Sequence, residues 1–451
     1  MTKSTKVRVL DECSDIERPG RRTFLHQLTA QGASIPAAYF LLGGGIADAH
    51  AAPTATLKST AVRGPTATDM GRIIRDFSDP YLELMRLLHE ASEIEHALMV
   101  QYLYAAFSIK PAYAAVAGFG IPNSTDLLGV AVQEMQHLSQ VNELLVALGA
   151  CPSLVRENFP YEPDIYPFKF QLEPLSQKSL AKYLYAESPP VALDRRKATN
   201  AKDRAMLDSL DRTLGKNVKV NHVGSLYDNI GSRLKEYIAS SKDEAEQLSP
   251  WIAKLEEIKR QGEDDHFDFF KQLFTGTHAG FRGKSAIWSL PPSDPAYPAR
   301  PLPVNPSAYV GHKNQIEDPL ALSLAWLGNL HYWIILLFVD LGYRTKDSEL
   351  GILAKQQMLG PFWSIARQLS IMGAGMPFDP LAMGYSTAKT EQHQLKFISC
   401  MVNEADRVAR RLGSRLPTDY PVSIGSETLS ELAPVKARYV ARAYQEHRAS
   451  Y

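Results

Sequence analysis

Between Leu127 and Leu148 the chain reads LLGVAVQEMQHLSQVNELLVAL. Leu127, Val130, Glu134, His137, Val141, Leu144, Leu145 and Leu148 recur at three- and four-residue steps, so they share one face of a helix. Ser124, Thr125 or Asp126 would cap it. An earlier helix is expected from about Pro80 to about Ser108, with Ser78 or Asp79 as cap and Pro80 at its first position. After Gly149 seven prolines (152, 160, 163, 167, 174, 189 and 190) break the pattern, leaving one short helix near Leu180. Periodicity resumes near Val218, with Leu226, Ile230, Leu234 and Ile238 four apart, and a fourth helix starts at Ser249-Pro250 and runs to about Phe274. The connections are thus short, long, short: an all-α four-helix bundle with one long crossover. Residues 277–317, with seven prolines between 290 and 306, read as a connection to a second helical domain over 318–451. In that domain helices are expected at 350–372, 387–412 and 427–446. Leu320–Leu341 is almost wholly apolar, but Asn329, His331 and Asp340 interrupt it, which favours a buried helix over a stable membrane span.

The polar residues inside the apolar stripes carry the chemistry. Glu134 and His137 lie three apart on the buried face of the second helix. Glu263 and His266 repeat that spacing in the fourth, among Leu255, Ile258, Phe267, Phe270 and Leu273. Glu95 lies on the apolar face of the first helix, with Tyr102 two turns further on, placed to hydrogen-bond a ligand carboxylate. Unpaired acids and imidazoles in a core are costly, and a metal ion satisfies both. Bundles that hold two metal ions use this inventory: a Glu from each of two helices and Glu-x-x-His from each of the other two.

Composition narrows the class. Hydrophobic residues make up 45% of 451, enough for a sizeable core, and 49 basic residues balance 49 acidic ones. That balance makes no electrostatic case for nucleic acid or an anionic membrane surface. Cys13, Cys151 and Cys400 are far apart, so neither a disulfide scaffold nor a thiolate zinc site is expected. No internal repeat and no phosphate-binding glycine loop is found. The oligomeric state is not legible.

The segments ASEIEHALMVQYLYAAFSIK, AVQEMQHLSQVNELLVALGACPSL, NHVGSLYDNIG and RQGEDDHFDFFKQL resemble the ferritin-like domain family that includes the iminophenyl-pyruvate dimer synthases of violacein and indolocarbazole biosynthesis. The resemblance covers roughly residues 80 to 275. It implies a ferritin-like bundle, bound iron and oxidative chemistry, with Glu95, Glu134, His137, Glu263 and His266 at the metal-ligand positions. One position departs: Ser225 stands where that family often has a Glu. His222, one turn earlier, is the expected substitute, and Asp228 or Glu187 are less favoured ones. Carboxylate and imidazole donors suit iron, with manganese or zinc as alternatives. The expectation is a di-iron, or related di-metal, oxidoreductase acting on a small organic substrate with O₂ or peroxide. Glu134 and Glu263 would bridge or chelate, and Glu95 would be terminal. The alternative is a non-catalytic metal-binding, storage or ligand-binding protein of the same fold.

The N-terminus carries Arg21-Arg22-Thr23-Phe24-Leu25, then the mildly apolar IPAAYFLLGGGIA and Ala49-His50-Ala51. This pattern resembles a twin-arginine export signal over 1–51, followed by a linker over 52–77; if the signal is used, the protein is exported, and otherwise it stays in the cytoplasm. Replacing Arg21 and Arg22 together by lysine should abolish export of the folded chain, read by fractionation and immunoblotting. Unchanged export would remove the signal.

Overall fold

A computed structural model describes residues 75–119, 122–156, 168, 171–189, 191–215, 222–284 and 286–449. The expected export signal, most of the expected linker and the chain around Val218 lie outside these residues. Helix α1 spans Pro80–Ser108 and α2 spans Leu127–Ala147. Asp79 caps α1 by accepting from Leu82 N, and Asp126 caps α2 by accepting from Gly129 N, each satisfying an otherwise unpartnered first-turn amide. The crossover carries α3 (Gln177–Ala186) and α4 (Ala201–Leu214). The latter is capped by Asn200 and buries Met206, Leu207 and Leu210, an apolar stripe too short to stand out in the sequence. Helix α5 covers Val223–Ser240. Helix α6 runs Pro250–Arg260, widens into a π turn at Gln261–His266, and continues as Phe267–Phe274.

Helices α2 and α5 both pack on α1, α6 packs on α5, and α3 closes against the Phe267–Phe274 end of α6. The α1–α2 pair is pinned by a buried polar chain. Asn142 Nδ2 donates to Ser92 Oγ at 3.0 Å, and Asn142 Oδ1 accepts from Ser153 N at 2.6 Å.

The second half is also helical: α7 (Pro319–Thr345), α8 (Ser348–Gln357, a π turn at Met358–Phe362, then Trp363–Ile371), α9 (Glu391–Leu412) and α10 (Ile424–Ala449). The described residues contain no strand, only two isolated bridges. Apolar side chains of both halves form one continuous core. Helix α1 is buried on nearly every side because it serves both: Glu95 points into the bundle, while Nε2 of the neighbouring His96 bonds the Tyr332 hydroxyl on α7. The proline-rich connection is fastened to the end of α1. Lys110 N donates to Pro298 O at 2.9 Å and Arg300 N to Ser108 O at 2.7 Å.

Helix α7 is long and apolar enough to cross a membrane, yet 72% of its most apolar window is buried in protein. Each polar interruption has a partner. His331 sits between Gln357 Oε1 (2.7 Å) and the Tyr420 hydroxyl (2.9 Å), and Asp340 accepts from Arg344 Nη2 (2.8 Å) and Ser386 Oγ (2.6 Å). Asn329 Nδ2 donates to Asp379 Oδ2 at 2.7 Å, and Asp379 also accepts from Ser307 Oγ (2.9 Å) and Ala308 N (2.8 Å). Such satisfied groups select an aqueous core helix. Asp379→Ala leaves three buried donors unpartnered, and urea unfolding should show a loss of about 3 kcal/mol. A loss below about 0.5 kcal/mol, the range of neutral surface changes, would contradict this network.

Candidate metal centre

Glu134 projects from the middle of α2 into the bundle, 2% exposed. Its two oxygens face different partners. Oε2 lies 3.0 Å from His137 Nδ1, and that nitrogen is 3.4 Å from Glu95 Oε2 on α1. Oε1 lies 3.0 Å from His266 Nδ1 on α6, which is 3.6 Å from Glu187 Oε2 at the C-cap of α3. Glu95, Glu134 and His137 thus form one group of converging donors, and Glu134, Glu187 and His266 a second. Glu134 belongs to both.

The outer atoms of each group are held from behind. Tyr227 of α5 donates to Glu95 Oε1, and Tyr102 of α1 donates to Glu187 Oε1. His137 Nε2 meets Gln261 Oε1 at 2.9 Å, and His266 Nε2 meets Gln133 Oε1 at 3.1 Å. Of the inner atoms, His137 Nδ1 and Glu134 Oε2 bond each other at 3.0 Å, and the other three are not satisfied. Glu95 Oε2, Glu134 Oε1 and His266 Nδ1 are buried without a hydrogen bond, although the last two are only 3.0 Å apart. Short separation without hydrogen-bond alignment means that these atoms point at a shared space rather than at each other. Buried polar atoms rarely go unpartnered without a reason, and an ion between them supplies one.

Charge supports the same fit. With Glu263, four carboxylates line this region, and two divalent cations would balance them. Without a cation, protons must do so. Burial and the charge of Glu134 push Glu95 up to about 8. Burial would also raise Glu134, but the charge of His266 and the hydrogen bond of His137 outweigh it and hold Glu134 well below the usual range. Burial would lower the two histidines, yet their carboxylate neighbours lift His137 well above its ordinary value and His266 to about 9. Tyr227 is raised well above its ordinary range, by burial and by Glu95, and so stays a donor.

The structure places the remaining sequence candidates differently. Glu263 is half-buried and belongs to neither group, although its Oε1 faces the same cleft without a hydrogen bond. The π turn is the cause. It changes the rotation per residue, so Glu263 and His266 no longer share a face as they would in an α-helix. His222 is the N-cap residue of α5, and its Nδ1 bonds Ser188 Oγ at 2.9 Å, outside both groups. The carboxylate absent at Ser225 is instead matched in space by Glu187, the candidate ranked low in the sequence. Tyr102 bonds Glu187, a carboxylate of the second group. Tyr227, Gln133 and Gln261 were missed. Only Tyr227 carried a signal, three residues before Ile230 on the apolar face of α5.

A cleft of about 290 Å³, counting its open mouth, reaches these groups between the end of α3, the start of α5 and the π turn. Two glycines keep it open: a Cβ at Gly224 would lie 2.1 Å from Glu263 Oε1, and one at Gly262 would lie 3.0 Å from Glu187 Oε2.

A metal must displace the protons from His137, His266 and Glu95, because the coordinating forms are deprotonated. Zn²⁺ binding to the metal-free protein should therefore release protons near neutral pH and tighten as pH rises toward about 9, where His266 loses its proton. Calorimetry in buffers of different ionisation enthalpy measures this, and zero proton release would exclude the imidazoles from binding.

Comparison with known proteins agrees with this architecture. A family model described as "Ferritin-like" matches residues 88–271, from α1 into the last part of α6. Dichlorochromopyrrolate synthase of Lentzea aerocolonigenes is 34% identical over 132 residues, covering 24% of this chain and 13% of that protein. The similarity thus spans a small part of the relative's length. No solved structure gives a significant match. Residues 88–271 are accordingly a ferritin-like domain, and 24% of the chain is similar to such a synthase.

Proposed function

We propose that this protein is a non-haem di-iron, or related di-metal, oxidoreductase acting on a small organic substrate with O₂ or peroxide. The observation that carries the reading is the pair of buried donor groups sharing Glu134, with three inner atoms unpartnered and outer atoms held in place. Glu95, Glu134 and His137 would hold one ion, and Glu134, Glu187 and His266 the other. Two redox-active ions held there would supply the electron-transfer chemistry that activation of O₂ or peroxide requires.

The protein's own side chains do the rest. Tyr227 and Tyr102 fix the carboxylate orientations, and the aliphatic walls from Leu98, Val223 and Ile258 exclude bulk water from the donors. Glu263 stands at the cleft with a free oxygen, placed to accept or return a proton at a bound substrate. The similarity to a named synthase supports a biosynthetic substrate rather than iron storage. Capture of the metal during folding in the cytoplasm, before export through the twin-arginine signal, is part of the same proposal.

Protein purified without chelator should carry iron at about two per chain and consume O₂ when reduced, as expected for a two-metal bundle. Glu134→Ala should lower the metal to below about one per chain, since both ions share that carboxylate. Glu187→Ala should weaken one ion only. Metal analysis and oxygen-electrode traces decide the matter. Iron that binds without consuming O₂ would favour the storage or binding alternative, and metal unchanged in Glu134→Ala would remove the proposed centre.

A further inference from the structure

The histidine on α2 has a support that the one on α6 lacks. Gln261 opens the π turn, and its side-chain oxygen faces His137 Nε2 at 2.9 Å. Its amide nitrogen donates to Glu257 Oε1 at 2.9 Å. Glu257 is gripped in turn by Arg260, through Nη2 at 2.8 Å and Nε at 2.9 Å. A carboxylate in such a pair only accepts, so the amide cannot flip: NH₂ must face Glu257 and the oxygen must face the imidazole. An oxygen there requires His137 to carry a proton on Nε2. Nδ1 faces the Glu134 carboxylate at 3.0 Å, another group that only accepts, so the metal-free imidazole carries both protons and an ion displaces the one on Nδ1. Behind His266, Gln133 occupies the matching place at 3.1 Å, but the described residues include no carboxylate that orients its amide.

We propose that Gln261, oriented by the half-exposed Glu257–Arg260 pair, is a positioning residue that holds the Nε2 proton of His137 and so reserves Nδ1 for an ion, and that the two donor groups are unequal as a result. The inference rests on the di-metal reading for its affinity readout alone.

The test uses the full chain with ¹⁵N-labelled histidine and Zn²⁺ as probe. In the wild type His137 should bind through Nδ1 and keep a slowly exchanging Nε2 proton. Gln261→Leu removes the acceptor: that proton should lose its protection, and one of two zinc ions should bind roughly 10- to 100-fold more weakly. Gln261→Glu restores an acceptor and should recover both. Glu257→Gln, a change at a half-exposed position, lets the amide turn and should reproduce part of the loss. Unaltered proton exchange in Gln261→Leu, or equal weakening of both ions, would overturn the inference. If the protein takes up no zinc, the di-metal reading fails by itself. The relay is then decided in the metal-free protein, where an Nε2 proton protected in the wild type and exposed in Gln261→Leu supports it, and equal exchange in both overturns it.

Discussion

One carboxylate between two imidazoles organises this protein. Glu134 is too deeply buried to be solvated, and a lone ionised acid in such a place is strongly disfavoured. Two histidines, one turn along its own helix and across on α6, supply the compensating charge when protonated, and Glu95 and Glu187 add further acidity from the other sides. The result is a buried site holding more acceptors than donors. Protons can balance it, but only by forcing Glu95 and both histidines far from their ordinary ionisation. Cations relieve the same imbalance without that distortion.

The rest of the fold serves to hold those groups still. Helix α1 is wrapped by the bundle on one side and by α7 and α8 on the other, so Glu95 is carried on an element with almost no exposed face. Ser370 Oγ bonds Phe107 O near its end, and the Trp363 ring packs on Phe107 at 5.2 Å. The second helical layer therefore acts mechanically on the bundle through a shared core rather than as a tethered neighbour. Its buried polar network around Asp379 has the same effect, tying the end of the proline-rich connection to α7.

Rigid support coexists with one deliberate irregularity. The π turn in α6 rotates Glu263 away from His266 and brings Gln261 behind His137. Such turns are uncommon and cluster at functional sites. Here the irregularity frees one carboxylate to face the cleft and lends the Glu187-bearing end of α3 its place beside His266.

Much of this was legible in the residues themselves. Capping residues, prolines at helix starts and three-four periodicity located the helices from Pro80, Leu127 and Pro250 closely, because those signals act within one or two turns. Acids and imidazoles inside apolar stripes marked Glu95, Glu134, His137 and His266 as inward-facing, since side-chain direction follows from helical phase. What lay beyond the sequence was every relation that crosses between segments. Glu187 ends a short helix in a proline-broken crossover, and nothing local says that its carboxylate meets His266. Glu263 had the right spacing for an α-helix, and only the packing of α6 against α3 and α5 selects the wider turn. Helical phase determines which way a side chain points along its own axis; which groups then meet depends on how the helices cross, and that is decided by the core they share.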